Sequence, residues 1–205
     1  NIGTINYKNT NTPKTIKNNG VTTGASSSST INFEEKTSIS LEDNYRVNGF
    51  LHLKDGIFNT NNYDFRIVYR FNASNVGPNS KIILGNSNVY LENINPVFNT
   101  NSKNLTIDAG TSHIIFETMT SSSGGGFNYN TNQVFNNISF LGSLGSMSGD
   151  GSFNKVIFLG NGNINGNNQF NELTFSPSKI YTLEQGKTQT IVSKFESITP
   201  QCGGW

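Results

Sequence analysis

One six-residue phrase occurs three times in this chain: Phe135-Asn-Asn-Ile-Ser-Phe140, Phe153-Asn-Lys-Val-Ile-Phe158 and Phe170-Asn-Glu-Leu-Thr-Phe175. The phrases begin at Phe135, Phe153 and Phe170, an almost even spacing. A unit that short cannot bury a core alone, so each has to stack on its neighbours. In each phrase the last apolar pair (Ile138 and Phe140, Val156 and Phe158, Leu173 and Phe175) is spaced by two, which in a strand puts both side chains on one face. The leading Phe135, Phe153 and Phe170 stand at an odd spacing before that pair, which a straight strand would turn to the opposite face. A corner is therefore required between them. Asn136, Asn154 and Asn171 follow the leading Phe, and Asn tolerates the left-handed conformation that such a corner can use.

Three apolar columns result: Phe on Phe on Phe, Ile on Val on Leu, and again Phe on Phe on Phe. A hairpin meander would reverse direction at every turn and has no need of one corner at a constant offset. Parallel stacking explains the offset, with coils about 4.8 Å apart as neighbouring strands are. The sequence predicts an all-β protein, a parallel β-helix (β-solenoid) of roughly 17–20 residues per coil. Right-handed is the commoner hand for parallel crossovers and is the one expected.

The chain of 205 residues suffices for one elongated domain. Hydrophobic residues are 33% and charged residues 13%, a balance that in most chains favours disorder. The 15 Phe residues and the period-two apolar clusters argue for order. Asn, Ser and Thr fill roughly two fifths of the positions, far above ordinary usage, and stacked side-chain amides can line the corners of a solenoid in ladders. Residues 1–30 read as a polar lead-in or cap, and 31–205 as a single solenoid domain cut from a longer chain. Fainter echoes extend the repeat towards residue 50. Phe58-Asn-Thr-Asn61 returns at Phe98-Asn-Thr-Asn101, a separation that suits two coils. Leu84-Gly-Asn-Ser-Asn-Val89 returns at Leu159-Gly-Asn-Gly-Asn-Ile164, a separation that suits four.

Net charge is +1 with scattered Lys and Arg, which excludes the basic stripe of a nucleic-acid binder. No apolar run is long enough to span a bilayer. Cys202 stands alone, without the paired spacing that binds zinc. Glycoside hydrolysis usually needs two carboxylates at a set separation; Asp108, Glu117 and Asp150 read as isolated, with no acidic cluster recurring at coil spacing. His52 and His113 have no nucleophile motif around them. No metal ligands, cofactor or catalytic residues are therefore assigned. The strongest loop signal runs from Ser121 to Asn132. Phe127 and Tyr129 within it are the candidate binding residues, as aromatics on a projecting loop.

The segments Phe170 to Ile191 and Phe58 to Phe65, with the closing Ile198-Thr-Pro-Gln-Cys-Gly-Gly-Trp205, resemble units of the very large repetitive cell-surface adhesins of Bacteroidetes, the gliding-motility adhesins of the SprB kind. The resemblance covers roughly residues 50–205. It implies type IX secretion to the outer surface, association with the outer membrane, and a role in attachment and gliding. It supplies no catalytic residue. The expectation is a non-enzymatic, stiff segment that spaces or presents binding surface, contacts carbohydrate or other surfaces, and adjoins neighbouring repeats of the same chain. The alternative is a carbohydrate-active β-helix enzyme, a polysaccharide lyase or hydrolase, in which charged residues from successive coils would converge in a groove.

Overall fold

Short alternating segments make the strands. Thr37–Leu41 buries Thr37, Ile39 and Leu41 and turns Ser38 and Ser40 outward, the period-two pattern of a half-buried strand. The computed structural model describes residues 4–7, 13–17, 30–34, 37–121 and 126–197. Cys202 and the closing segment 198–205 lie outside the described residues, as does the run Ser26–Ser29. Among the described residues there are strands and no helix.

The strands pair in parallel and form three faces of nine, five and eight strands. Each coil visits the three faces in turn, which makes a parallel β-solenoid of about 8 turns. The two described stretches of the polar lead-in, Thr4–Tyr7 and Lys14–Ile16, are themselves the outermost strands of the nine- and five-stranded faces.

The inward column of the nine-stranded face runs Ile31, Leu51, Phe71, Phe98, Phe127, Met147, Ile164, Leu183. On the eight-stranded face Val89, Ile114, Ile138, Val156, Leu173 and Phe195 stack in register. Beside them stack Leu91, Phe116, Phe140, Phe158 and Phe175. Phe135, Phe153 and Phe170 form the column beyond the corner, their rings stacked with centroids 5.7 and 5.5 Å apart. The column residues of all three phrases face the interior, with Phe175 partly exposed, while Ile157, between Val156 and Phe158, is half-buried and outside the core. Each large apolar side chain so buried contributes about 1.5–3 kcal/mol.

Register gives the length of every coil. The successive partners Tyr45, Phe65, Val89, Ile114, Ile138, Val156, Leu173 and Phe195 come at uneven steps, longest from Val89 to Ile114 and shortest from Val156 to Leu173. On this face the expected coil of roughly 17–20 residues fits the steps from Tyr45 to Phe65, from Ile138 to Val156 and from Val156 to Leu173, and on the nine-stranded face it fits those from Ile31 to Leu51 and Phe71 and from Phe127 to Met147, Ile164 and Leu183. The coils between Phe65 and Ile138 are longer because longer connections join their strands, as residues 73–79 do between Arg70–Asn72 and Ser80–Ile83, where residues 54–55 suffice between Phe50–Leu53 and Gly56–Asn59. From Gln133 a single bent strand of 8 residues serves both the second and the third face, as in Gln133–Phe140, Gly151–Phe158 and Asn168–Phe175. The two fainter echoes are not coil equivalents. Phe58 lies on the five-stranded face and Phe98 on the nine-stranded one. Leu84 leads into the eight-stranded face, whereas Leu159 leads out of it.

The corner also differs from expectation. Asn136, Asn154 and Asn171 do not adopt positive φ; the left-handed Asn residues are Asn61, Asn62, Asn79 and Asn132, all in turns. The corner is made inside an extended strand, by two consecutive half-buried residues in Gln133–Phe140 and Asn168–Phe175 and by exposed Asn154 with half-buried Lys155 in Gly151–Phe158. The Asn side chains serve it differently, as a ladder between coils. The Asn171 amide donates to Asn154 Oδ1 at 3.3 Å, Asn154 donates to Asn137 Oδ1 at 3.1 Å, and Asn136 donates to the Ser112 carbonyl at 3.1 Å. Glycine is required at tight stacked turns: Gly166 has φ +86°, and a Cβ there would lie 1.9 Å from the Gly149 carbonyl oxygen.

Val156 is fully buried between Ile138 and Leu173. Replacing it with Asp would place an unpaired charge in the column, and we expect a stability loss on the order of 4 kcal/mol or more. Denaturant unfolding of the Val156→Asp variant measures this; an unchanged midpoint would mean that the column is not the core.

Candidate functional site

The side chains that can meet a ligand are those of the outward rows, and these follow from the same register as the core. A concavity opens where the five-stranded face ends, at the strand Leu105–Asp108. It is an open groove of about 680 Å³. One wall is built from Lys81 and residues 106–110; the other comes from outward positions of the bent strands. Ser152, Gln169, Asn154 and Asn171 supply hydroxyl and amide groups there, and Val134 and Val192 supply aliphatic surface. The only carboxylate of the groove is Asp108, which Lys81 engages at 3.0 Å. The corner residues Asn136, Asn154 and Asn171 are thus brought together along one groove, as part of its lining as well as of the amide ladder.

Phe127 and Tyr129 are not exposed loop aromatics. Gly126–Tyr129 is a strand of the nine-stranded face, with Phe127 stacked between Phe98 and Met147 in the core. Both residues are buried. The Tyr129 hydroxyl donates to Asn168 Oδ1 at 2.6 Å, and burial raises its pKa. The glycine-rich run before them carried a loop signal, but the Phe-x-Tyr spacing obeyed the strand period and the core claimed it.

A second cluster lies on the outer side of the eight-stranded face. Arg46 and Arg66 are direct neighbours in register, and Tyr90 follows them in the same row. Glu92 accepts hydrogen bonds from Arg46 Nη2 at 2.6 Å and from Arg66 Nη1 at 2.8 Å, with Glu117 3.7 Å from Arg66. The Arg66 guanidinium lies 3.7 Å from the centroid of the Tyr90 ring. Glu92 and Glu117 follow the partners Leu91 and Phe116, so two carboxylates do recur at coil spacing. This corrects the reading of Glu117 as isolated. The unequal steps from Arg46 to Arg66 and from Glu92 to Glu117 hid the relation, because coils of unequal length defeat a search at one period. The cluster belongs to four successive coils, and its charges satisfy one another.

His113 Nε2 lies 2.8 Å from Ser139 Oγ, and burial lowers the pKa of the imidazole. Ser139 is itself buried, so this pair is a cross-coil hydrogen bond beneath the surface. His52 is also shifted downward, by burial first and then by Lys54 and Arg70. Among the described residues no three His, Cys, Asp or Glu side chains group as they would around a metal ion. No helix of the described residues is long and apolar enough to cross a membrane. No protein-family model, curated protein or solved structure matches the chain.

Burial alone would raise the pKa of Glu92, but the hydrogen bonds from Arg66 and Arg46 outweigh it and hold the carboxyl below its ordinary value. The folded carboxylate is then favoured over the unfolded one. Its contribution is complete above the unfolded pKa and is lost as pH falls through the folded value. We expect the stability gap between the wild type and Glu92→Gln to be largest at neutral pH and to close as pH falls through the lowered folded pKa. Urea unfolding of both proteins across that range reads the outcome; a gap independent of pH would assign the effect of Glu92 to packing instead of charge.

Proposed function

We propose that the chain is a non-enzymatic segment of a large cell-surface adhesin, a stiff solenoid that presents a weak binding surface for neutral carbohydrate. The observation that carries this is the lining of the groove. Amides and hydroxyls from successive coils recur along it beside aliphatic side chains, and its one carboxylate is tied to a lysine. Such groups exchange hydrogen bonds with sugar hydroxyls without demanding charge. Each contact is weak, and a long array of similar units turns weak contacts into attachment through multivalency.

The resemblance of residues 50–205 to gliding-motility adhesins of Bacteroidetes supports the same reading. On that reading the chain lies at the outer surface after type IX secretion, continuous with neighbouring repeats of the same polypeptide. A second reading, a carbohydrate-active β-helix enzyme, is favoured by the Arg46, Arg66, Glu92 and Glu117 cluster, where charged groups of successive coils meet. Their mutual pairing leaves the first reading preferred.

A glycan array with the protein displayed multivalently on beads tests both. We expect retention of beads on neutral glycans, lowered about tenfold in apparent affinity, equivalent to ~1.4 kcal/mol, when Ser152, Asn154 and Gln169 are all replaced by Ala. Binding that ignores these substitutions would remove the groove from the proposal. Cleavage of a polysaccharide, abolished by Arg66→Ala, would establish the enzyme instead.

A further inference from the structure

The coils shorten in the middle of the solenoid, and the groove lies at the step. The coil that carries Leu105–Asp108 is followed directly by the coil of the first bent strand, Gln133–Phe140, because His113–Phe116 of the one pairs with the other. Lys81 and residues 106–110 therefore stand across one end of the groove, and the outward positions of the bent strands run away from them coil by coil. The groove is a trough parallel to the solenoid axis.

Two rows line this trough. Val134, Ser152 and Gln169 are partners in register, and Asn136, Asn154 and Asn171 stand two residues further along the same strands. Each row advances in a line by one residue per coil, about 4.8 Å. The hydroxyl of Ser152 and the side-chain amide of Gln169 have no hydrogen-bond partner among the described residues. In the amide ladder each Asn donates one bond, so the second N–H of every amide is left over, its plane fixed by the first. The end wall adds backbone groups. The Asp108 carbonyl accepts from the Leu84 N–H of the neighbouring coil, so Ile107, one residue earlier, turns its own N–H and carbonyl to the opposite side. Among the described residues no strand pairs with that side. Lys81 and Asp108 neutralise one another beside it.

These dimensions select among neutral carbohydrates. To meet successive coils a ligand must advance about 4.8 Å per unit along a straight line, and it must show hydroxyls on both of its edges. An unbranched β-1,4-linked pyranose chain does this: it is extended, advances by nearly the coil spacing per sugar, and carries hydroxyls along each edge. An α-1,4-linked chain of the same sugar curls out of the line. We infer that the trough takes the end of an unbranched, neutral β-1,4-linked polysaccharide, laid along the solenoid axis at one sugar per coil with its terminal sugar against Lys81 and Ile107. This rests on the reading of the groove as a carbohydrate site and narrows it to one linkage, one orientation and the chain end.

Nuclear magnetic resonance titration of the full 205-residue chain tests it, with β-1,4-linked glucose oligomers from dimer to tetramer and α-1,4-linked glucose oligomers of the same lengths. Affinity for the β-linked series should rise about fivefold with each added sugar, the worth of one hydrogen bond, while the α-linked series stays flat. That comparison uses the wild type alone. Asn171→Ala, which alters the third bent strand, should weaken tetramer binding about fivefold and leave dimer binding unchanged; Asn136→Ala, beside the end wall, should weaken both. Equal affinity for the two linkages, or affinity that does not grow with length, overturns the inference and leaves a neutral-carbohydrate groove in place. Equal losses of dimer and tetramer binding in Asn171→Ala overturn the seating at the wall and the inference with it. So does a failure of every oligomer to bind while beads are still retained on neutral glycans. If the beads are not retained either, the carbohydrate reading itself has failed.

Discussion

Parallel stacking of coils in one register is the interaction on which everything else in this molecule depends. Backbone hydrogen bonds run from coil to coil, so each residue has a fixed neighbour above and below it. A residue type suited to the interior must then recur in its column, which is why Phe follows Phe along Phe135, Phe153 and Phe170. Coil length is free to vary, since extra residues go into turns while the columns stay in line. The short step from Val156 to Leu173 and the long one from Val89 to Ile114 share one core for that reason.

The interior is not purely apolar, and its polar members show how strictly the stacking is satisfied. Ser87 donates to Thr60 Oγ1 at 2.7 Å, Gln133 accepts from Thr100 Oγ1 at 3.0 Å, and Asn168 accepts from Tyr129. These buried groups sit near turns and bind the next coil or its carbonyls, avoiding the cost of unpaired burial. The outer rows use the same device in water: an amide ladder along the corner, an alternation of Lys and Glu in one row, and an Arg–Glu cluster in the earlier coils. Rigid spacing of such rows suits repeated weak contact with an extended ligand.

The fold was legible where coils are shortest. Between Phe135 and Phe175 the coils repeat at nearly equal length, and the three phrases declare both columns and corner. It was illegible where coils lengthen. Phe58 and Phe98 share a local phrase but different faces, because local sequence records a strand and its turn, not which side of the coil it lines. The candidate site was scarcely legible at all. Phe127 and Tyr129 followed a glycine-rich run and were expected at the surface, yet their alternation placed them in a strand of the core. The clustered Arg46, Arg66, Glu92 and Glu117 carry no local signal, since only unequal coil spacings bring them together; Ser152 and Gln169 stand just before Phe153 and Phe170 in the regular repeat, but nothing in the repeat marks that a groove opens beside them.

The sequence by itself determined the kind of object this is: repetition too short to fold alone, with period-two apolar pairs, dictates stacked parallel strands. Its composition likewise determined a core rich in Phe and a surface rich in amides. Tertiary structure decided which coil lies over which, and so where carboxylates meet arginines and where a groove opens. Those are distances between residues far apart in the chain, and they are set by the summed lengths of intervening turns. A turn is constrained by local geometry alone, so its length leaves no trace in the repeating pattern.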